Sequence, residues 1–280
     1  MKLTLSLCLF AAIMLGACSP ASNNVPANPP APAPAPRKLD DAEARARAAE
    51  LQKQAAEEMR SGGTVKAAEL LAEVVELAPG NPAWHEQFAA ACQKLRRFSE
   101  AREHYLLAAR HATPDERPRL RNLAAECSHS MAVEAYRIKE DKLALEHIRD
   151  SLVLRPGHGE AAMLQGWVEF RMKDYAAAQA SFQLASDVLS GVKRHEAMCW
   201  LGQSQYWLKE YSTAEATLTT IINEGYTDLD VHGWRGYARQ QLGDFTGARQ
   251  DFLQAAQATR DEAKRKEFHE AATKAEAAGG

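Results

Sequence analysis

The chain has 280 residues, of which 46% are hydrophobic and 25% charged, the balance of an ordinary globular protein. A formal net charge of -3 and the lack of any long basic block exclude the electrostatic footprint of a nucleic-acid binder. Alanine-rich helix formers dominate and runs of alternating β-branched residues are missing, so the composition points to an all-α fold.

In chain order, residues Met1 to Ala17 read as an export signal. Lys2 gives the positive start, and Leu3 to Leu15 forms an apolar run too short for a bilayer core of about 30 Å, which takes roughly 20 helical residues. The tetrapeptide Leu15-Gly16-Ala17-Cys18 resembles a bacterial lipobox. That resemblance implies cleavage before Cys18, diacylglycerol on its thiol and acylation of the new amine, and several acyl chains hold a protein stably to a membrane. Ser19 in place of Asp resembles the pattern of an outer-membrane destination, which puts the expected location at a bacterial cell envelope, facing the periplasm. Residues 18–40 then form a tether. The run PANPPAPAPAP cannot be helical and favours polyproline geometry, and some 20 residues reach up to roughly 60 Å.

From residue 41 to the end, one pattern repeats. Gly236, Phe245, Ala248, Phe252 and Ala255 form a skeleton that recurs as Gly202, Tyr211, Ala214, Leu218 and Ile221, and again as Gly166, Tyr175, Ala178, Phe182 and Ala185. Aligned on the alanine, the repeats fall at Ala67, Ala101, Ala144, Ala178, Ala214 and Ala248. A spacing near 34 residues predicts a stacked array of helix pairs. The skeleton resembles the tetratricopeptide repeat over roughly Ala48 to Arg260. The resemblance implies an all-α, right-handed superhelical solenoid of about six helix pairs. Its small first-helix residue is expected to face the second-helix alanine at close range. Residues 261–278 are expected to form a polar capping helix.

Three departures stand out. Gly62-Gly63-Thr64 replaces the usual aromatic turn of unit one, and Asp141 replaces the aromatic of unit three. Extra residues around Thr113 to Asn122 include Thr113-Pro114-Asp115-Glu116, which has the form of a capping box with proline at the first helical position. A longer first helix or a short extra turn is expected there.

Signatures of catalysis are scarce. His85-Glu86, His195-Glu196 and His269-Glu270 begin like zincin motifs but lack the second histidine four residues on. Cys92, Cys127 and Cys199 have no zinc or redox spacing and fall in different units, so buried thiols are expected. No enzyme activity, metal or cofactor is expected from this sequence.

The tetratricopeptide resemblance implies that first-helix positions two, five, nine, twelve and thirteen face a groove. Projected onto this chain, they give Tyr136, Arg137, Trp167, Phe170, Arg171, Tyr206, Trp207 and Tyr237. These would form an aromatic trough with two guanidinium groups, residue types enriched at binding hot spots. The clamp by which some relatives of this repeat grip a carboxyl terminus does not match, because Gln52, Ala56, Glu86 and Ala90 occupy its places. The expected function is that of a lipid-anchored scaffold that holds protein segments and assists assembly of an envelope complex. Cell-wall glycan recognition is the alternative, with Glu169, Gln203 and Gln240 beside the rings.

Overall fold

The computed structural model describes Leu39–Thr227 and Asp230–Gly280. The export signal, Cys18 and all of the tether but Leu39 and Asp40 lie outside the described residues. The described part is an all-α solenoid of six tetratricopeptide-type helix pairs and a final single helix. The pairs are α1 (Asp41–Ser61) with α2 (Thr64–Leu77), α3 (Pro82–Lys94) with α4 (Phe98–His111), and α5 (Arg117–Arg137) with α6 (Asp141–Leu154). They continue with α7 (Gly159–Arg171) and α8 (Tyr175–Val188), α9 (Gly191–Trp207) and α10 (Tyr211–Asn223), and α11 (Val231–Gln241) and α12 (Phe245–Ala258). Helix α13 (Glu262–Gly279) closes the array.

The local chemistry of each turn explains the period. In units two to six, three residues join the helices of a pair. The middle one is left-handed at Arg96, Lys139, Lys173, Lys209 and Gly243, with φ of 60°, 66°, 65°, 64° and 83°. The next N–H then reaches back five residues, as from Asp174 to the Glu169 carbonyl at 2.9 Å and from Asp244 to Arg239 at 3.0 Å. This Schellman geometry satisfies carbonyls that the helix end would otherwise leave bare. In unit one the same task falls to Gly62, at φ 88°.

The close contact inside each pair differs from the sequence expectation. The glycine of the first helix does not face the second-helix alanine; it makes room for the side chain one turn further on. A methyl built on Gly166 would stand 2.6 Å from the Phe182 ring, one on Gly202 2.7 Å from Leu218, and one on Gly236 2.8 Å from the Phe252 ring. Phe182, Leu218 and Phe252 are fully buried. The large residue therefore fills the pair itself, and glycine is the cavity it enters.

The departures also find causes. The extra residues before unit three lengthen α5 to 21 residues. Thr113 to Glu116 form a turn ahead of it, in which Thr113 N–H and Oγ1–H both donate to the Glu116 carboxylate, at 3.3 and 2.8 Å. The helix itself starts at Arg117, with Pro118 in its first turn. Asp141, in place of an aromatic, forms an ion pair with Arg171 of the next unit. Helix α13 behaves as the first helix of an unfinished seventh pair. Its Asp261 cap accepts N–H groups from Ala263 and Lys264, and its Phe268 packs where Gly233 leaves room, 2.5 Å from a methyl built there. No helix among the described residues is long and apolar enough to cross a membrane.

Candidate functional site: the face of the first helices

Two hollows lie on the face built from first helices alone. One, of about 500 Å³, runs between α9, α11 and α13 and has an aromatic floor of Trp200, Trp234, Tyr237 and Phe268. Gln203, Asp230, Lys264 and Glu267 stand around it. Lys264 is ion-paired with Asp230, and the Tyr237 hydroxyl donates to Glu267 at 2.8 Å. Burial first, then the Glu267 bond, push the Tyr237 phenol far above its ordinary value. It therefore stays a neutral donor. The second hollow, about 190 Å³, lies between α5, α7 and α9 against Trp167 and Met163. Glu160, Lys193 and Glu196 rim it, and Lys193 is ion-paired with Glu160. A larger hollow of about 680 Å³ at the amino end carries one ring, Trp84, and is walled largely by the α2–α3 turn.

A ladder of ring contacts connects units four to six and α13. Phe182 stacks on Trp200 at 6.0 Å and Phe170 meets Trp200 edge-on at 5.3 Å. Phe170 also meets Tyr175, which stacks on Trp207 at 5.6 Å. Trp207 and Tyr206 both touch Trp234, Trp234 touches Tyr237, and Tyr237 meets Phe252 at 4.9 Å. Phe252 stacks on Phe268 at 6.5 Å. Offset and edge-on pairs at these spacings each contribute about 0.5–1.5 kcal/mol beyond burial. Trp207 at the ladder's edge is 48% exposed.

The eight residues that the sequence placed in one trough therefore divide. Phe170, Tyr206, Trp207 and Tyr237 join the ladder, and Tyr237 also floors the larger hollow. Trp167 lines the smaller one and is not a rung. Tyr136 pairs with Arg171, whose guanidinium carbon lies 3.8 Å over its ring. Arg171 also donates to the Tyr136 carbonyl at 3.2 Å and pairs with Asp141, so its two terminal nitrogens bridge two units while its buried Nε has no hydrogen-bond partner among the described residues. Arg137 is exposed. Sequence reasoning missed Trp200 and Trp234. Both stand at first-helix position six, one residue from a groove position, and their 34-residue separation was the available signal.

Three polar clusters tie helices together, the first two within a unit and the third between unit three and the turn that leads into unit four. Asp251, fully buried, accepts from Arg235 at 2.7 and 2.9 Å and from Arg239 at 2.9 Å, with His232 at 3.4 Å. Burial works to raise its pKa, but the bonds from His232 and Arg235 and the two guanidinium charges outweigh it, and the carboxyl sits below its usual range. In the second cluster, His85 donates Nε2–H to the Pro79 carbonyl at 2.8 Å, leaving Nδ1 to accept from His104 Nδ1–H at 2.9 Å.

The third cluster sets Ser151, His158 and Glu126 in the order serine, histidine, carboxylate, at 2.7 and 3.4 Å. A nucleophile needs its proton facing a bare imidazole nitrogen. Here Ser151 is fully buried and gives its proton to the Ala125 carbonyl at 2.9 Å, so it accepts from His158. The set is a clamp between α5, α6 and the turn before α7. Cys92, Cys127 and Cys199 are buried thiols, and burial pushes Cys92 up to about 11 and Cys127 to about 12. Among the described residues, no three histidine, cysteine or acidic side chains are grouped to hold a metal.

Comparison with protein-family models gives no match, and neither does comparison with curated proteins. Solved structures with a similar backbone include the Cut9–Hcn1 hetero-tetramer of APC/C, at TM-score 0.46 and 17% identity over 81% of this chain. The chain spans 42% of the length of that one. PilF of Pseudomonas aeruginosa gives TM-score 0.46 and 18% identity, covering 83% of this chain and 99% of that one. A tetratricopeptide repeat protein from Parabacteroides merdae gives 0.42 and 18%, covering 84% and 94%. With TM-scores below one half, the fold rests on the repeat geometry described above.

Proposed function

We propose that the chain is a scaffold that holds a segment of another protein against the face of its first helices, and that it does so from a lipid anchor at Cys18 in a bacterial cell envelope, where it assists assembly of a larger complex. The observation that carries the binding reading is the hollow floored by Trp200, Trp234 and Tyr237, with both signs of charge at its rim. Aromatic floors with polar rims are where interfaces concentrate binding energy. The anchor rests on the lipobox resemblance, and facing the periplasm from the outer membrane rests on Ser19.

A photo-crosslinking residue at Gln203, inside the hollow, tests the binding reading against one at Ala180, exposed on α8. In living cells the Gln203 position should capture a defined segment of one protein and Ala180 should not. Capture of glycan alone, or equal capture at both positions, overturns it. Labelling with a palmitate analogue that disappears in Cys18→Ser tests the anchor.

For glycan recognition, Gln203 lines the hollow beside the rings, but it is nearly buried and its amide donates to the Cys199 sulfur at 3.5 Å. Glu169 does not contribute to it, because it is buried and bonded to Ser181 at 2.6 Å and to Gln165 at 2.8 Å.

A further inference from the structure

The two hollows share a composition that the ladder does not. Each sets indole against two carboxylates and a single lysine: Trp167 with Glu160, Glu196 and Lys193, and Trp234 with Asp230, Glu267 and Lys264. In each, the lysine is bonded to one carboxylate of the two, Lys193 to Glu160 and Lys264 to Asp230. Glu196, half-buried, has no ion-pair partner among the described residues, and Glu267 is bonded to a neutral phenol only. A carboxylate beside an indole face is a seat for a cation, which gains from the ring quadrupole and from the charge together.

Two arginines on the first helices that border the smaller hollow are engaged elsewhere. Arg171 is bonded to Asp141 and Tyr136, and Arg194 to Glu224 at 2.6 Å. Both lysines are largely exposed and already paired, so each hollow keeps one carboxylate that its lysine does not hold. The hollows are centred on α7 and α11, two first-helix spacings apart. At about 8–10 Å per helix spacing this is some 16–20 Å, which an extended chain covers in about six residues.

We infer that the face takes an extended protein segment with two cationic side chains, lysine or arginine, about six residues apart, one seated at Glu196 and the other at Glu267. The inference rests on the segment-binding reading above and gives it a ligand class, opposite in sign to the acidic carboxyl terminus that a clamp of lysines would hold.

The test uses the full-length chain and three blocked peptides of equal length in one neutral background. The first carries two lysines about six residues apart, the second has glutamates in their place, and the third sets the lysines side by side. Titration followed by tryptophan emission should show the first binding about tenfold tighter than the other two. Glu196→Gln and Glu267→Gln, which keep shape and remove charge, should each weaken it by about threefold to tenfold. Each should also flatten its salt dependence, with unchanged circular dichroism. Equal or tighter binding of the glutamate peptide, or of a free diamine of matching length, overturns the inference, and so do glutamine variants that bind like the parent. If the neutral background binds and Trp234→Ala abolishes it, segment binding stands and the cationic class falls. If no peptide binds and Gln203 captures nothing, both fall.

Discussion

Units one to three and units four to six build the same backbone repeat with different seams. In the amino half, position eight of the first helix is Ala55, Ala89 or Ala132, and polar contacts stand beside an apolar core that runs from Ala55 to Cys127. Between units, His129 meets His158 at 5.0 Å and Arg119 grips Glu86 with two bonds; within units, His85 meets His104 and Arg155 bonds Glu126 at 2.7 Å. In the carboxy half the same position is glycine, the side chain that enters it is Phe182, Leu218 or Phe252, and rings run from unit to unit. With alanine at position eight, Leu71, Tyr105 and Ile148 of the second helices are still buried. With glycine there, Phe182, Leu218 and Phe252 come within contact of the first-helix backbone, and the face of that half carries the hollow floored by rings.

The largest expected effect comes from the most deeply buried charge of the carboxy half, Asp251. Asp251→Ala leaves Arg235 buried without its partner and should cost about 3–5 kcal/mol, read by chemical denaturation. Replacing Gly166 or Gly236 with alanine should cost about 1–3 kcal/mol through overpacking against Phe182 or Phe252. Ala89→Gly or Ala132→Gly in the amino half should cost about 1 kcal/mol, mainly from helix propensity. If both halves tolerated the exchange equally, the two packing schemes would not be distinct.

Acid should separate the halves further. Burial first, and the neighbouring ring next, hold the His104 and His129 pKa values below the ordinary one. The stability they contribute is therefore complete above about pH 6.5, the unfolded value, and is lost as pH falls through the folded values. In the carboxy half His195 and His232 face carboxylates instead, at 2.7 and 3.4 Å. Amide hydrogen exchange measured on lowering the pH through this range should open α3 to α5 before α9 to α12. A His104→Gln/His129→Gln variant should lose the difference.

The smallest effect is expected at the turns. Lys173→Gly removes a left-handed strain and should raise the melting midpoint by the equivalent of about 0.5–1 kcal/mol.

The period, the helix pairs and the closing helix were legible because they follow from residue size at fixed spacing. The partner of each glycine was not. Spacing puts Ala178 and Phe182 on the same side of α8, and only packing decides which one enters the gap over Gly166. The trough was half legible for a related reason. Positions nine and twelve differ by less than a turn, yet Trp167 lines a hollow while Phe170 joins the ladder through Tyr175 and Trp200. The histidine clusters were invisible, since their members lie on different helices, 19 residues apart for His85 and His104. Arg171 shows the limit most plainly. Its groove position follows from the repeat, but its pairing depends on Asp141, where unit three breaks the pattern.

The three-residue turns inside the pairs have a mechanical consequence. From unit two onward they are alike in length and hydrogen bonding, so each pair is a stiff hairpin with its angle set locally. The connections between pairs share no such rule, ranging from Leu189-Ser190 to the stretch between Asn223 and Val231. Under load or on engaging a long ligand, the array should therefore yield at its inter-pair joints, whose lengths and geometry are not fixed by one local rule, while the hairpins move as whole bodies. Two cation seats, one on the α9–α10 hairpin and one on α13, would then act as a gauge of that yielding, since the distance between them changes only when a joint does.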